Sequence, residues 1–176
     1  IGKMDDIDPR VVTVIGAGVS GTQSILKAID NNAIVKVVDS SQSKLDELQS
    51  KYGSNNIEYI LSTQESIQSS INDSDLVIGS VYVVGKEAPK VVKREMLSSM
   101  NPGTVMVDVS IDQGGCFETC KPTTHDNPTF LENDIVHYCV TNMPGAVPLT
   151  ATEALNKVTL SYVENLANNG IQNALD

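Results

Sequence analysis

The sequence predicts an α/β fold, a doubly wound and mostly parallel six-stranded sheet with helices on both faces. Short runs of β-branched residues alternate with segments of helical length, as in VVTVI followed by VSGTQSILKAID. This alternation is typical of βαβ units, whose right-handed crossovers build a parallel sheet. A glycine-rich turn, GAGVSG, joins the first run to the first helical segment. The predicted strands are residues 11–15, 34–38, 57–61, 75–80, 104–111 and 135–140.

The segments between the strands carry the apolar period of helices. Leu45 and Leu48 form one such pair, and Ile67 and Ile71 form another. Residues 112–134 are the one long segment without a pattern, and a long irregular loop in a compact domain usually has a functional role. The predicted helices are residues 19–30, 41–52, 64–73, about 90–100 and 151–168.

Length and composition indicate one globular domain. With 176 residues the chain can bury a full core, and we expect a single domain over 1–176 with its core at about 10–150. The 12 Lys and Arg against 22 Asp and Glu give a formal net charge of −10, which argues against binding to nucleic acid or to an anionic membrane. No apolar run approaches 18 residues and no leader peptide opens the sequence, so a cytoplasmic protein is expected.

The cysteines and histidines do not form a familiar metal pattern. Cys116, Cys120 and Cys139 are odd in number and contain no CxxC pair. His125 follows the first two of them, but the spacing fits no common zinc motif, and we predict no metal site. His137 lies within a predicted strand, where we expect a buried or edge histidine with its hydrogen bonds satisfied.

The turn after the first strand has the spacing of a dinucleotide-binding motif. Gly16, Gly18 and Gly21 form GxGxxG at the start of a helix, a pattern that permits a tight turn, close approach of a pyrophosphate and close helix–strand packing. The N-terminus of that helix adds N–H groups and a positive dipole end. Glycine turns also occur for packing reasons alone. Asp39, which follows the next strand, is placed to accept both hydroxyls of an adenosine ribose, so the two motifs together predict a Rossmann fold that binds a dinucleotide.

Asp39 also indicates which dinucleotide is bound. A carboxylate repels the 2′-phosphate of NADP, and residues 40 and 41 are serines where an arginine would accommodate that phosphate. Lys44 is the nearest cation, one turn into the following helix, where it is equally a solvated helix residue. NAD is the predicted cofactor.

Three strings in the second half, DQGGCFET, KPTTH and NMPGAVP, make the chain similar to the NAD-binding domain of the alanine dehydrogenase family. That family shares its architecture with the NAD-binding subunit of proton-translocating transhydrogenase. The resemblance covers about residues 10–170 and implies roles for individual residues. Gly16, Gly18, Val19, Ser20 and Gly21 would meet the pyrophosphate; Asp39, Lys44 and Ser62 would lie at the adenosine; Val81 and Tyr82 would lie near the centre of the cofactor; and Ile111, Asp112, Asn142 and Met143 would surround the nicotinamide.

The resemblance implies a reaction in which alanine gives a hydride to NAD and becomes an imine, which water converts to pyruvate and ammonia. Asp112 would supply the carboxylate that this proton transfer needs, and Asn142 would orient substrate or nicotinamide. From the residues alone, both are also candidate turn formers, with the Asp112 carboxylate accepting N–H groups of the DQGG turn. Both interpretations stay open. Neither His125 nor His137 matches the family's catalytic histidine.

The family's substrate-binding arginine, catalytic lysine and catalytic histidine would precede this segment, and its substrate domain would be completed after residue 176. The chain, which begins with Ile, is therefore expected to be an excised domain that binds NAD(H) and is inactive alone. A small amino acid or 2-oxo acid would bind through the missing lobe, and the full-length protein would be a homo-oligomer. Two alternatives stay open: the NAD-binding component of a transhydrogenase, and a stand-alone NAD-sensing module without activity.

Overall fold

The computed structural model describes residues 7–174, and its centre is a seven-stranded sheet in the order β3-β2-β1-β4-β5-β7-β6. All neighbouring strands are parallel except β6 and β7. The strands are β1 Val11–Ile15, β2 Ile34–Asp39, β3 Ile57–Leu61, β4 Leu76–Gly79, β5 Val105–Asp108, β6 Thr129–Glu132 and β7 Ile135–Tyr138. The α-helices are α1 Val19–Asp30, α2 Gln42–Tyr52, α3 Gln64–Ile71 and α4 Pro148–Ala174.

Two buried apolar layers, one on each face of the sheet, hold this arrangement together. One layer joins β1 and β2 to α1 and α2 and includes Val14 and Leu45. The other joins β1 and β4 to α3 and to the 3₁₀ helix Arg94–Ser99 and includes Ile67 and Leu97. Full burial of each such side chain contributes about 1.5–3 kcal/mol. The predicted α/β class, the mostly parallel sheet and the helices on both faces are confirmed.

The predicted number of six strands is wrong, because residues 112–134 contain β6. β6 pairs antiparallel with β7 at one edge of the sheet. Asn133 and Asp134, the two residues between these strands, have φ angles of 51° and 60°. A two-residue hairpin turn requires this left-handed conformation, which Asn and Asp tolerate better than most residues. The dipeptide was therefore a usable local signal for the hairpin.

The fifth strand is shorter than its predicted span of 104–111. β5 ends at Asp108, which pairs with Gly79, the last residue of β4. The chain then turns into a short 3₁₀ helix, Ile111–Gln113. The strand ends here because its neighbour ends, so that further residues would have no ladder to join.

The helix predicted over about 90–100 is also shorter and of a different type. Only Arg94–Ser99 is helical, as a 3₁₀ helix, and its apolar residues Met96 and Leu97 are buried. The apolar spacing was therefore a correct guide to burial but not to helix length or type.

Residues from Asn142 onward form a second compact unit. It contains the 3₁₀ helix Met143–Ala146 and the helix α4, which begins at a proline. Proline suits the first position of a helix because its missing N–H would have no intrahelical partner there. The helix predicted over 151–168 lies within α4, and Gly170 is non-helical, with φ 70° and ψ 167°.

The loop between β5 and β6 is fixed to the sheet through His137 of β7. The His137 side chain is fully buried; its Nδ1 lies 3.1 Å from the carbonyl of Ile135 and its Nε2 lies 2.7 Å from Oγ1 of Thr119. Because a carbonyl only accepts, Nδ1 carries the proton, and in the neutral ring Nε2 accepts from the threonine hydroxyl. The ring also stacks on Phe130 of β6 at 4.8 Å between centroids. The expected buried, hydrogen-bonded histidine is what the structure contains.

Because of this histidine, we expect the free energy of unfolding to decrease as the pH is lowered. Burial lowers the pKa of His137 below its ordinary value of 6.5, so the unfolded chain binds this proton more readily than the folded chain does. The contribution is complete above about pH 6.5 and is lost as the pH falls towards the folded pKa. The His137→Gln variant should have a free energy of unfolding about 1–2 kcal/mol below that of the wild type at pH 7.5. Between pH 7 and pH 5, however, this free energy should fall less in the variant than in the wild type.

Urea denaturation across this pH range measures the difference. His125→Gln, at the exposed histidine of the loop, is the matched control, because it separates the effect of His137 from that of removing a histidine elsewhere. Parallel curves for His137→Gln and wild type would contradict the assignment.

Candidate functional site

A cleft of about 550 Å³ opens at the carboxyl end of the sheet, where the strand order reverses between β1 and β4. The connection after β1 leads to β2 on one side and that after β4 leads to β5 on the other, so the two loops diverge and leave a space between them. A smaller, mainly apolar cavity of about 330 Å³ lies beside α1 and contains none of the predicted site residues. The predicted residues that line the larger cleft are Gly16, Gly18, Val19, Ser20, Asp39, Lys44, Ser62, Val81 and Tyr82.

Two glycines of the turn after β1 are required by packing. Gly16 has φ 97°, and a Cβ added there would lie 2.6 Å from the carbonyl oxygen of Ser80. A Cβ on Gly21 would lie 1.8 Å from the carbonyl oxygen of Gly16. The hydroxyl of Ser80 donates to that same oxygen at 2.7 Å, which ties the end of β4 to the turn. The fold itself therefore explains these two glycines.

Gly18 differs because the fold does not need it. Its φ is −72°, and a Cβ added there would have no atom within 4 Å. It lies in the cleft lining and precedes α1, whose N-terminus has neither a capping side chain nor an acidic residue in its first turn. The first N–H groups of a helix lack intrahelical partners, so this end of the cleft can bind an anion.

Asp39 ends β2, is only 8% exposed as a residue, and accepts hydrogen bonds from two loops through its carboxylate. Its Oδ2 accepts from the N–H of Ala17 at 2.7 Å, and its Oδ1 accepts from the N–H of Ser41 at 2.8 Å. None of the ion pairs among residues 7–174 includes Asp39. Asp39 therefore fixes the glycine turn and places a carboxylate at the cleft.

Asp112 lies on an exposed turn next to the cleft wall. We define the Asp112 turn as residues 110–116, which follow β5. The hydroxyl of Ser110 donates to the carbonyl of Val81 at 2.8 Å, which joins this turn to the lining of the cleft. Ile111 is buried beneath the turn, whereas the Asp112 side chain is exposed and accepts no hydrogen bond from any residue in 7–174.

The carboxylate that forms this turn is that of Asp108, which the sequence reasoning missed. Asp108 is fully buried and accepts from the N–H groups of Ser110 at 3.0 Å, Cys116 at 2.8 Å and Phe117 at 3.2 Å. The role of turn former, considered for Asp112, belongs to Asp108. An acid that ends an otherwise apolar strand, as in VMVD, was the available signal.

Asn142 and Met143 begin the second compact unit. Asn142 is exposed with φ 52° and directly precedes the 3₁₀ helix that starts at Met143. The left-handed backbone agrees with the turn-forming interpretation of Asn142. The role of both residues at the nicotinamide stays a prediction.

The three cysteines are free thiols that surround Asp108 and the turn. Burial, and next the nearby charge of Asp108, raise the pKa of Cys120 to about 11 and that of Cys139 to about 12. The same two causes hold the pKa of Cys116 well above its usual range.

Within the described part of the chain, no group of three His, Cys, Asp or Glu side chains is placed to bind a metal ion. Nor is any helix there both long and apolar enough to span a membrane.

Fold and cleft together define a Rossmann-like α/β domain. Residues 1–176 match the family described as alanine dehydrogenase/PNT, C-terminal domain, and the chain belongs to that family. An alanine dehydrogenase of Halomonas elongata is 48% identical over 169 residues, which are 96% of this chain and 45% of that protein. One of Mycolicibacterium smegmatis is 44% identical over 174 residues, 99% of this chain and 47% of that protein. The chain thus spans about half the length of the curated relatives it matches.

Solved structures agree with this family. An L-alanine dehydrogenase superposes with a TM-score of 0.90 at 42% identity, covering 99% of this chain and 48% of that one. A transhydrogenase from Sinorhizobium meliloti superposes with a TM-score of 0.81 at 24% identity, covering 94% of this chain and 48% of that one. The second likeness is one of fold alone. The resemblance inferred from the sequence strings is confirmed.

Two substitutions should separate the glycines needed for packing from the one that is not. Gly21→Ala should lower the free energy of unfolding by about 1–3 kcal/mol, because the clash with the Gly16 carbonyl outweighs the helix propensity gained. Gly18→Ala should change it by less than about 1 kcal/mol, since alanine is only a poorer helix cap than glycine. Urea denaturation of both variants tests this contrast, and equal losses would contradict it.

Proposed function

We propose that this chain is the NAD(H)-binding domain of an NAD-dependent alanine dehydrogenase, which converts L-alanine reversibly to pyruvate and ammonia. The observation that carries the proposal is the cleft at the strand reversal, which combines a glycine turn, a helix N-terminus and a carboxylate in one groove. The relatives named alanine dehydrogenase support the choice of substrate. When bound, NAD supplies the site with a hydride acceptor.

The cleft suits a dinucleotide in size and chemistry. Its volume of about 550 Å³ is within the range of about 300–1,000 Å³ that is usual for small-molecule sites. The open position at Gly18 leaves room for a phosphate close to the backbone. Asp39 accepts two loop N–H groups, and since a carboxylate has about four acceptor positions, it retains capacity for ribose hydroxyls.

The remaining predicted site residues divide into three groups in this proposal. Lys44 and Ser62 would bind at the adenosine end with Asp39, and Val81 and Tyr82 would form the wall near the centre of the cofactor. Val19, Ser20 and Gly21 would present the first turn of α1 to the pyrophosphate. The role of each group is to bind and orient the dinucleotide.

Asp112 would hold or accept a proton near the reacting carbon and nitrogen of the substrate. Its carboxylate is exposed, makes no hydrogen bond within residues 7–174 and follows a strand that ends beside the cleft. Such a group can act as a general base toward the amine or toward the attacking water. Asn142 would orient the substrate or the nicotinamide, and Met143 and Ile111 would pack near that ring.

The proposed compartment and partners are inferred from the sequence. The net charge of −10 argues against nucleic acid and anionic membranes as partners, and we propose a cytoplasmic enzyme. A homo-oligomer of the full-length protein, with the small substrate held by the segments that the relatives have in addition, completes the proposal.

The charge of Asp39 should set the preference between the two dinucleotides. A carboxylate that binds the ribose and repels a 2′-phosphate is worth about 2–3 kcal/mol, so NAD should bind about 30- to 200-fold more tightly than NADP. Asp39→Asn keeps the size of the side chain but removes its charge and places its NH₂ group against a backbone donor, so both affinities should fall and their ratio should drop below about tenfold. Calorimetric titration with both dinucleotides measures the ratio.

Gly18→Ala is the matched control, because it alters the cleft without changing its charge. Its methyl group would crowd the phosphates that the two dinucleotides share, so both affinities should fall together while their ratio stays near that of the wild type. Equal binding of NAD and NADP by the wild type would remove Asp39 from cofactor selection.

Asp112→Asn should separate chemistry from folding in the full-length enzyme. The free energy of unfolding should stay within about 0.5 kcal/mol of the wild type, because the carboxylate is exposed and accepts no hydrogen bond from the described residues. The affinity for NAD should also change little. Turnover of alanine should fall at least about 100-fold, which is the lower range for a positioned acid–base group. A folded, NAD-binding variant with normal turnover would exclude Asp112 from the mechanism.

A further inference from the structure

The Asp112 turn is held from two directions by groups outside it. Within the turn, the N–H of Gly115 donates to the carbonyl of Ser110 at 3.0 Å and closes residues 110–115 into a ring. Asp108 lies beneath this ring, and the segment of residues 88–91 lies beside it. The position of Asp112 is therefore set by contacts that it does not make itself.

Asp108 holds the two ends of the turn with one carboxylate. Its Oδ1 accepts from Ser110, where the turn begins, and its Oδ2 accepts from Cys116 and Phe117, where the turn ends. Gly115 packs directly on it, since an added Cβ would lie 2.8 Å from Oδ2. A carboxylate only accepts, so an amide at this position would place its NH₂ group against a backbone donor.

Lys90 holds the carbonyl side of the same turn. Its ammonium donates to the carbonyl of Gly114 and to that of Gly115, the latter at 2.7 Å. The backbone near Lys90 also binds the turn, because the N–H of Ala88 donates to the carbonyl of Gln113 at 2.9 Å. A single charged side chain therefore binds two successive carbonyls that directly follow Asp112 and Gln113.

Lys90 also lies between two residues of the cleft wall. Its two neighbours along the chain, Pro89 and Val91, both line the cleft, and the N–H of Val91 donates to the carbonyl of Cys116 at 2.8 Å. The side chain thus connects the wall on which the dinucleotide would lie to the turn that carries Asp112. Lys90 itself has no local sequence signal for binding or catalysis.

We propose that Lys90 is a positioning residue for the Asp112 carboxylate. By holding the carbonyls of the turn against the cleft wall, the ammonium fixes where the carboxylate stands relative to the bound dinucleotide and substrate. This inference rests on the proposed function, since it assigns Lys90 a part in the same reaction. A displacement of the Asp112 carboxylate by about 1 Å is enough to lower the rate by orders of magnitude. Loss of Lys90 should therefore lower turnover and leave NAD binding unchanged.

The test is Lys90→Met in the full-length enzyme. Methionine retains an unbranched apolar side chain and loses the donors, and because Lys90 is exposed, the protein should remain folded with a melting temperature within a few degrees of the wild type. We expect kcat for alanine to fall at least about tenfold, while the Kd for NAD changes by less than about threefold. Lys90→Arg, whose guanidinium can also donate to two carbonyls, should restore most of the lost rate.

Two further variants separate positioning from a general effect of charge. Lys86→Met removes an exposed lysine four residues before Lys90 and should leave kcat, KM and Kd near wild-type values. The double variant Lys90→Met with Asp112→Asn should be no slower than Asp112→Asn by more than about twofold, because placement no longer matters once the carboxylate is gone. Additive losses would show that Lys90 acts without Asp112 and would overturn the proposal.

The outcomes distinguish this inference from the proposed function. A full-length protein that binds NAD but does not oxidise alanine would refute the proposed function itself. If the wild type is active and Asp112→Asn is slow, a Lys90→Met enzyme with normal kcat would overturn the inference alone. A Lys90→Met protein that loses its fold, or one that loses NAD affinity and turnover equally, would assign Lys90 a structural or binding role and would also overturn it.

Discussion

The β3-β2-β1-β4 strand order sets the carboxyl ends of β1 and β4 side by side, while the chains that leave them run in opposite directions. Every feature of the candidate site depends on this reversal. The glycine turn occupies one side of the opening, residues 80–83 occupy the other, and the hydroxyl of Ser80 donates to the carbonyl of Gly16 across it. Because the sheet is parallel, β2 and β5 also end at this edge, and they place Asp39 and Asp108 there.

These two acids do the same structural work on either side of the reversal. Each ends a mainly apolar strand, and each uses its side chain to accept N–H groups from the loops around it. Asp39 fixes the glycine turn, and Asp108 fixes the Asp112 turn. They differ in access, because Asp39 lines the cleft whereas Asp108 is fully buried. Only the first can therefore also meet a ligand.

Features of the fold and site that are set by neighbouring residues in the sequence could be predicted. Features that are set by packing between distant segments could not. The glycine turn and Asp39 have a fixed spacing relative to β1 and β2, so both could be predicted. The hairpin at Asn133 also had a local signal, which was overlooked within a segment treated as one loop. Lys90 could not be found this way, because its significance arises only from packing against a turn 24 residues further along the chain. Likewise, the end of β5 depends on where β4 ends, which no pattern within β5 contains.

The buried charge of Asp108 has a consequence for the chemical reactivity of the sulfur atoms around it. Cys116 donates its S–H to Asp108 at 3.6 Å, and a thiolate in that place would face a carboxylate without compensating solvent. Burial, and next the charge of Asp108, raise the pKa of Cys120 to about 11, so that few of these thiols are ionised at neutral pH. Oxidants and alkylating agents react with the thiolate, so the cysteines beside the Asp112 turn are held in their inert form. Burial, and next the carboxylate that shapes the turn, thus also protect the turn from oxidation.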